Sequence, residues 1–232
     1  MSFIQRMVSI VALIGCTVPL RLPAGECPVV RWVQRRLERP VGAGFVPSNV
    51  YRSSQTLPAD LRRVAVLPLV IPSSSEQMLH AQETLGSAVG DALSRSMAFE
   101  VVLIEPEALR RLTGRSDWRA QEPLPRALLD YLRQQKDCQA VIFAELSQFQ
   151  AYGALQIGWK LKLVDSREAG VYWAADQIFD AGATSVAVAA KRFAQDHDSE
   201  SSRGAGSQLI LSSPRRFGAY TLSALFATLP SR

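Results

Sequence analysis

The hydrophobic pattern of the chain is of two kinds. Residues 63–71 and 140–146 are nearly continuous apolar runs with β-branched side chains, and residues 99–104 are predicted to form a further strand. Such runs are typical of strands buried on both faces of a sheet. Residues 155–164 and 170–179 instead alternate apolar and polar positions, which predicts strands with one solvated face. A short turn-like link joins these two strands and predicts a hairpin.

Helical periodicity fills the segments between the strands. Leu85, Val89, Leu93 and Met97 recur every four residues and predict one helix over residues 76–97. Further helices are predicted over residues 106–113, 124–136 and 184–195, and one that begins at Ser213-Pro214, an N-cap followed by proline. The order strand, helix, strand, helix, helix, strand, hairpin, helix predicts an α/β fold with a mixed sheet in two or three layers.

The amino terminus has the order of charged and apolar segments that is typical of an export signal. Arg6 precedes the apolar run of residues 7–15, and Cys16 follows it. Pro19 and Arg21 interrupt the run before it reaches the length of about 20 residues that a membrane-spanning helix needs. We therefore interpret residues 1–15 as a signal peptide.

Cys16 ends the sequence Leu-Ile-Gly-Cys, which resembles the lipobox of bacterial lipoproteins. Cysteine is the residue whose soft thiol can form the thioether to a diacylglyceryl group. The resemblance implies that Cys16 is lipidated and becomes the first residue of the mature chain. Thr17 follows it, whereas lipoproteins retained in the inner membrane typically have Asp at this position. The resemblance therefore implies the outer membrane, with the domain facing the periplasm. The alternative is an ordinary secretory signal that is cleaved near Ala24.

Composition then divides the exported part into a tether and one domain. Residues 16–60 are rich in Pro, Gly, Arg and Ser and predict a flexible tether. Residues 61–229 hold the periodic segments and form the predicted domain, and the mixed-charge residues 197–207 predict an exposed loop within it.

Charge does not indicate a nucleic-acid partner. The net charge is +5 and the sequence pI is about 9.4, but the arginine pairs are spread over separate segments. A nucleic-acid interface needs a concentrated basic patch. We therefore expect no nucleic-acid binding.

Catalytic and metal-binding signatures are not evident in the sequence. His80 and His197 fall on a predicted helix start and in a polar loop, where we expect both to be exposed. Cysteine or histidine ligands at metal-binding spacing are missing, as are the short catalytic and nucleotide-binding motifs. We expect Asp165 and Glu168 to serve the hairpin turn rather than catalysis. The chain is predicted to be no enzyme and to need no cofactor or metal.

Two features leave alternatives open. Cys27 and Cys138 enter an oxidising compartment, where they either form a disulfide or remain free thiols, and the position of Cys27 in the tether favours free thiols. Gly86 and Gly90 permit close packing either on the sheet or on another subunit, and packing on the sheet is the favoured interpretation.

Aromatic residues gather on and near the predicted hairpin. Tyrosine and tryptophan are common anchors of protein interfaces. We therefore take the exposed hairpin edge and the loop around Trp118 as the candidate partner surface. The alternation allows the two hairpin tryptophans to face either the core or an exposed surface, and the core is the favoured interpretation. The candidate residues are Trp118, Tyr152, Trp159, Tyr172 and Trp173.

Three segments together resemble the CsgG-like family of bacterial envelope lipoproteins, whose fold relatives include the amino-terminal domain of TolB-like proteins and the LpoB-type activators of penicillin-binding proteins. Residues 63–69 (Arg-Val-Ala-Val-Leu-Pro-Leu) are similar to the opening strand. Residues 99–109 resemble the second strand with its helix, and residues 161–173 resemble the hairpin. The resemblance covers about half of the chain and implies an anticodon-binding-like α/β domain.

The resemblance also sets the expected function. The channel-forming member of the family adds two long amphipathic β segments, whereas residues 113–123 are short and charged and the hairpin turn at residues 165–170 is tight. We therefore expect a non-enzymatic binding or adaptor module of an envelope complex in secretion, surface appendages or cell-wall synthesis. The alternative is a self-assembling, ring-forming subunit, which would be a homo-oligomer.

Overall fold

The computed structural model describes residues 44–96, 98–197 and 209–232, all within the unit formed by residues 40–232. It confirms an α/β fold with a mixed sheet and flanking helices. Its strands are β1 (Val50–Arg52), β2 (Arg63–Val66), β3 (Glu100–Leu103), β4 (Ala140–Gln150), β5 (Gln156–Asp165) and β6 (Val171–Asp180). Its helices are α1 (Glu76–Leu85), α2 (Ala88–Arg95), α3 (Pro106–Thr113), α4 (Arg126–Gln134), α5 (Thr184–His197) and α6 (Pro214–Phe226).

The six strands form one sheet in the order β1-β6-β5-β4-β2-β3. The two runs predicted to be buried, β2 and β4, pair in parallel, and β3 pairs in parallel with β2 at the edge of the sheet. The predicted hairpin is confirmed, because β5 and β6 pair in antiparallel register and β4 pairs with β5 in the same way. The parallel half of the sheet therefore uses helical crossovers, and the antiparallel half is a meander.

The main core lies between one face of the sheet and four helices, α1, α2, α5 and α6. Helix α6 lies along β5 and β6. The indole Nε1 of Trp159 donates to Thr221 Oγ1 at 2.8 Å, and that of Trp173 donates to Thr228 Oγ1 at 3.0 Å. Both tryptophans are fully buried, and both of their polar atoms have partners, as buried polar groups require.

A smaller core covers part of the opposite face. Leu109 of α3 and Leu128 and Leu132 of α4 pack there against β-strand residues that include Val141 and Phe143. Over this part of the sheet the fold has three layers.

The prediction of one continuous helix over residues 76–97 is wrong. The chain forms α1 and α2, and Gly86 and Ser87 form a turn between them. Glycine costs about 1 kcal/mol relative to alanine inside a helix. The helix is interrupted at Gly86, where continuing it would incur this cost. Leu85, Val89 and Leu93 still face the core, as their spacing predicts.

The predicted boundary at residue 61 is too late. Val50–Arg52 form β1 and pair with β6, although the sequence assigned them to the tether. Leu57 is buried, and its backbone N–H donates to the carbonyl of Ser231 at 2.8 Å. A three-residue edge strand is too short to show alternation, so the periodicity did not reveal it.

Two glycines of the main helices offer a matched test of the packing. A Cβ at Gly218 of α6 would lie 2.6 Å from Cδ2 of the fully buried Leu85. A Cβ at Gly90 of α2 would lie equally close to Cδ2 of Leu103, but that side chain is 56% exposed and can turn away. This confirms the interpretation that Gly90 permits close packing on the sheet.

We expect Gly218→Ala to lower the free energy of unfolding by about 1–3 kcal/mol, because the new methyl group overpacks a core that cannot yield. We expect Gly90→Ala to change it by less than about 1 kcal/mol, since the gain in helix propensity offsets the shift of Leu103. Urea unfolding of both variants measures the difference. Equal losses in the two variants would contradict this account of the packing.

Candidate functional site

The structure separates the five aromatic residues of the predicted partner surface. Trp159 and Trp173 lie in the main core, and Trp118 is buried in the smaller core. The Trp118 ring also packs under the guanidinium of Arg115, whose Cζ lies 4.4 Å from the ring centroid. The prediction that these three tryptophans form a partner surface is therefore wrong, whereas the favoured interpretation that Trp159 and Trp173 face the core is confirmed. The alternation of β5 and β6 turns those two indole rings toward the main core, and Trp118, in the loop before α4, packs into the smaller core.

The two tyrosines of that predicted surface lie at opposite ends of the sheet. Tyr152 lies in the tip between β4 and β5 and is 85% exposed. Tyr172 lies at the start of β6, next to the turn at Asp165, and is half-buried. They do not form one surface with each other.

Part of the second sheet face carries polar side chains and is not covered by any of the described helices. Glu145, Lys160 and Asp176 are direct cross-strand neighbours in one row across β4, β5 and β6. Tyr51 of β1 lies beside this row and is exposed. We call these four residues the open face. At its border, Lys162 Nζ donates to the carbonyl of Ala120 at 2.8 Å and so ties the loop before α4 to the sheet.

Glu145 is the unusual member of the open face. Its side chain is only 5% exposed, and its Oε2 has no hydrogen-bond partner among the described residues. Its neighbour Lys160 lies closer to Asp176, with 4.0 Å between Nζ and Oδ2. A buried carboxylate oxygen without a donor is costly, since burial removes the water that would satisfy it. The arrangement suits an incoming hydrogen-bond donor.

A second unsatisfied oxygen lies close by. Ser147 Oγ is buried and also has no partner within the described part of the chain. It lies 2.6 Å from the position that a Cβ would take at Gly158 of β5. Because position 158 is a glycine, the Ser147 hydroxyl has room beside β5, the strand that carries Lys160.

The sequence pointed to Glu145 only weakly. It is the one charged residue in the apolar run of residues 140–146, and we interpreted that run as a buried strand without assigning the carboxylate a role. Tyr51 was missed because its strand was assigned to the tether. A lone charge in a run that is otherwise buried was the available signal for this site.

Asp165 and the two histidines, for which we expected no catalytic role, lie much as predicted. Asp165 accepts hydrogen bonds from the backbone N–H groups of Arg167 and Glu168, at 3.2 and 3.1 Å, which confirms its role in the turn. His80 and His197 are exposed as predicted, although His197 ends α5 rather than lying in a loop. Residues 198–207 of the predicted loop lie outside the described residues.

The described ranges contain no cluster of three or more side chains suited to a metal ion. None of their helices has the length and apolar character needed to cross a membrane. Cys16, Cys27 and the signal peptide lie outside the described residues, so the lipidation and the pairing of Cys27 stay predictions.

Cys138 is buried directly before β4, and it is a free thiol within the described part of the chain. Burial raises the pKa of this thiol from 9.0 to about 11. In the unfolded chain the thiol ionises near pH 9, whereas in the folded chain it stays protonated to about pH 11. The stabilisation is complete below pH 9 and is lost as the pH rises toward 11.

We therefore expect the free energy of unfolding to fall by up to about 2–3 kcal/mol between pH 9 and pH 11 because of Cys138. Cys138→Ala should remove this part of the loss. Urea unfolding at several pH values, compared between the parent and the variant, measures it. Parallel curves for the two proteins would show that Cys138 does not carry the effect.

The fold and the open face together describe an α/β domain with one partly uncovered sheet face. No family model and no curated protein matches the chain. The solved structures similar to it include the PelC dodecamer from Paraburkholderia phytofirmans, at 16% identity and a TM-score of 0.41, covering 79% of this chain and 98% of that one.

Two other similar structures have lower scores. Lipoprotein GNA1162 from Neisseria meningitidis is 14% identical, with a TM-score of 0.36, and the match covers 51% of this chain and 79% of that one. The LpoB C-terminal domain from Salmonella enterica is 17% identical, with a TM-score of 0.33, and the match covers 63% and 90% of the two chains. Likenesses of this size do not assign the chain to a family, and its function has to be inferred from its own residues.

Proposed function

We propose that this chain is an exported bacterial lipoprotein, anchored through Cys16, whose domain is a non-enzymatic binding module of an envelope complex. The open face is the surface that binds the partner protein. One observation carries this proposal: Glu145 is buried, its Oε2 has no hydrogen-bond partner within the described part of the chain, and the other members of the open face are half-exposed or exposed.

The resemblance to the CsgG-like family supports the location. The lipobox sequence at residues 13–16 would hold the chain on the outer membrane, with the domain in the periplasm. In this proposal the chain contributes a domain and an anchor rather than a pore, since the amphipathic segments of the channel-forming member have no counterpart in residues 113–123.

The chemistry of the open face defines the kind of partner. Lys160 and Asp176 offer one donor group and one acceptor group at the surface, and Tyr51 offers an aromatic ring. A partner that brings a backbone or side-chain N–H to Glu145 Oε2 would satisfy an oxygen that is buried without a donor. A hydrogen bond to a charged group contributes about 1.5–3 kcal/mol, which corresponds to about 10- to 100-fold in affinity.

Site-specific crosslinking in cells tests this proposal. A photoreactive amino acid at position 176, on the open face, is expected to capture one envelope protein. The matched control carries the same group at position 83, where the exposed Glu83 of α1 lies on the other side of the sheet. Equal products from the two positions would contradict the proposal, and a product that is a second copy of this chain would favour the ring-forming alternative.

Glu145→Gln provides the functional half of this test. The substitution keeps the shape of the side chain and removes its charge, so we expect the folded domain to be at least as stable while the crosslink at position 176 loses about 90% of its yield, in keeping with the affinity change above. Thermal unfolding shows that the variant is folded. A full crosslink yield in a folded Glu145→Gln variant would remove Glu145 from the binding surface.

A further inference from the structure

The described chain enters the domain at one end of the sheet. The ring of Phe45 packs edge-on against Phe179 near the end of β6, with 5.2 Å between the ring centroids. The backbone N–H of Ser48 contacts Gln177 Oε1 at 3.3 Å. The segment that leads back to Cys16 is therefore joined to the domain where β6 ends.

Exposed apolar side chains gather at this same end. Val46 follows Phe45 and is 75% exposed, and Ile178 of β6 is 48% exposed. Tyr152 lies in the β4–β5 tip, which touches the turn after β6, because Ala181 N–H donates to the carbonyl of Leu155 at 2.8 Å. We call Val46, Tyr152 and Ile178 the apolar end.

The other end of the sheet has a different character. There the exposed side chains of the β5–β6 turn are charged, and Arg167 lies 3.3 Å from Asp60 in an exposed ion pair. Glu168 of the same turn is also exposed. The two ends of the sheet therefore differ in polarity, and an apolar environment would favour only one of them.

A basic group borders the apolar end. Tyr220 of α6 contacts Phe179, with 6.0 Å between the ring centroids, while the later residue Phe226 contacts Trp173 near the start of β6. Helix α6 thus runs antiparallel to β6, and its first turn, with the exposed Arg215, lies at the apolar end. Asp180, an acidic group at the end of β6, accepts hydrogen bonds from the backbone N–H of Gly182 and from Gln156 Nε2.

We propose that the apolar end rests on the bilayer surface to which the Cys16 lipid is attached. This inference rests on the proposed lipid anchor, and it adds a second membrane contact that orients the domain. Tyrosine and aliphatic side chains favour the membrane interface, and an arginine beside them is attracted to lipid phosphates. The bilayer is the expected occupant because the lipid-bearing segment joins the domain at this end.

Chain length alone does not enforce this contact. Residues 17–43 separate Cys16 from Gly44, and 27 residues have a maximum reach of about 90 Å. The anchor would therefore allow the domain to point either way, and the polarity of the two ends decides the orientation. With the apolar end on the bilayer, the charged end points away from the membrane.

Fluorescent labelling of the complete lipidated chain in vesicles tests the orientation. An environment-sensitive dye is placed on Tyr152→Cys or on the control Glu168→Cys, both in a background of Cys27→Ser and Cys138→Ala. The vesicles contain phosphatidylethanolamine and phosphatidylglycerol. We expect the emission at position 152 to rise about twofold or more on vesicles and to be quenched by brominated lipid, with no change at position 168.

Flotation of the same samples separates the two proposals. Chains that float with vesicles but show the same response at positions 152 and 168 would overturn the orientation while leaving the lipid anchor intact. Chains that fail to float would overturn the anchor itself and, with it, the premise of the orientation. Two further variants separate the apolar side chains from the basic group. If the response at position 152 persists in Arg215→Gln but falls when Val46 and Ile178 are both replaced by serine, the apolar side chains make the contact.

Discussion

Replacing Cys16 with serine is expected to abolish the incorporation of a fatty-acid probe into the chain. Serine presents a hydroxyl in place of the nucleophilic thiol, so the thioether to diacylglycerol cannot form. The loss should be complete rather than partial, because the variant has no sulfur at position 16 to which the diacylglyceryl group can be attached. Metabolic labelling with an alkyne fatty acid, followed by immunoprecipitation, measures it.

Cys27→Ser is the matched control for this substitution. It removes a cysteine from the same exported segment and leaves the lipobox sequence unchanged. We expect it to retain the label of the parent chain. A label that persists in Cys16→Ser, or one that disappears in Cys27→Ser, would contradict the assignment of the anchor to Cys16.

Replacing Trp159 with alanine is expected to lower the free energy of unfolding by about 3–5 kcal/mol. The side chain is fully buried between β5 and α6, and its removal leaves a cavity in the centre of the main core. Small domains have a total stability of about 5–15 kcal/mol, so this single change removes a large part of it. Urea unfolding followed by circular dichroism measures the loss.

Thr221→Val separates the hydrogen bond from the packing. The variant keeps the volume of the threonine side chain and leaves Trp159 Nε1 without its acceptor, which should cost about 1–3 kcal/mol. The indole remains in place in this variant. If Trp159→Ala instead unfolds at the urea concentration of the parent, Trp159 lies at the surface, and the placement of the core under α6 is incorrect.

The hydrophobic pattern predicted the architecture because buried side chains recur at regular spacing along strands and helices. The runs that became β2, β3 and β4 are apolar at nearly every position, and β5 and β6 alternate as half-solvated strands do. Helix starts with proline at the first position, at Pro106 and Pro214, were confirmed for the same reason, since proline fits the first turn of a helix and few other places.

The candidate site was harder to predict because it depends on partners across the sheet. Alternation separates the two faces within each strand, but it does not specify which face of β5 or β6 the helices cover. Glu145 became notable only when strand pairing placed it beside Lys160 and showed Oε2 without a donor. Register and hydrogen-bond satisfaction are properties of the folded sheet, and a single sequence does not specify them.

The same limitation explains the late domain boundary and the broken helix. β1 is held by its pairing with β6 rather than by a pattern of its own, and the turn at Gly86 and Ser87 interrupts a periodicity that continues on both sides of it. Local signals gave the class and order of the elements. The edges of the domain depend on tertiary contacts.

Mass spectrometry of the amino-terminal peptide of the purified mature chain tests whether Cys16 is the lipid anchor. We expect a peptide that begins at Cys16, continues with Thr17 and carries a diacylglyceryl group on the cysteine sulfur. An unmodified peptide that begins farther along, near Ala24, would show that the chain is secreted without a lipid anchor.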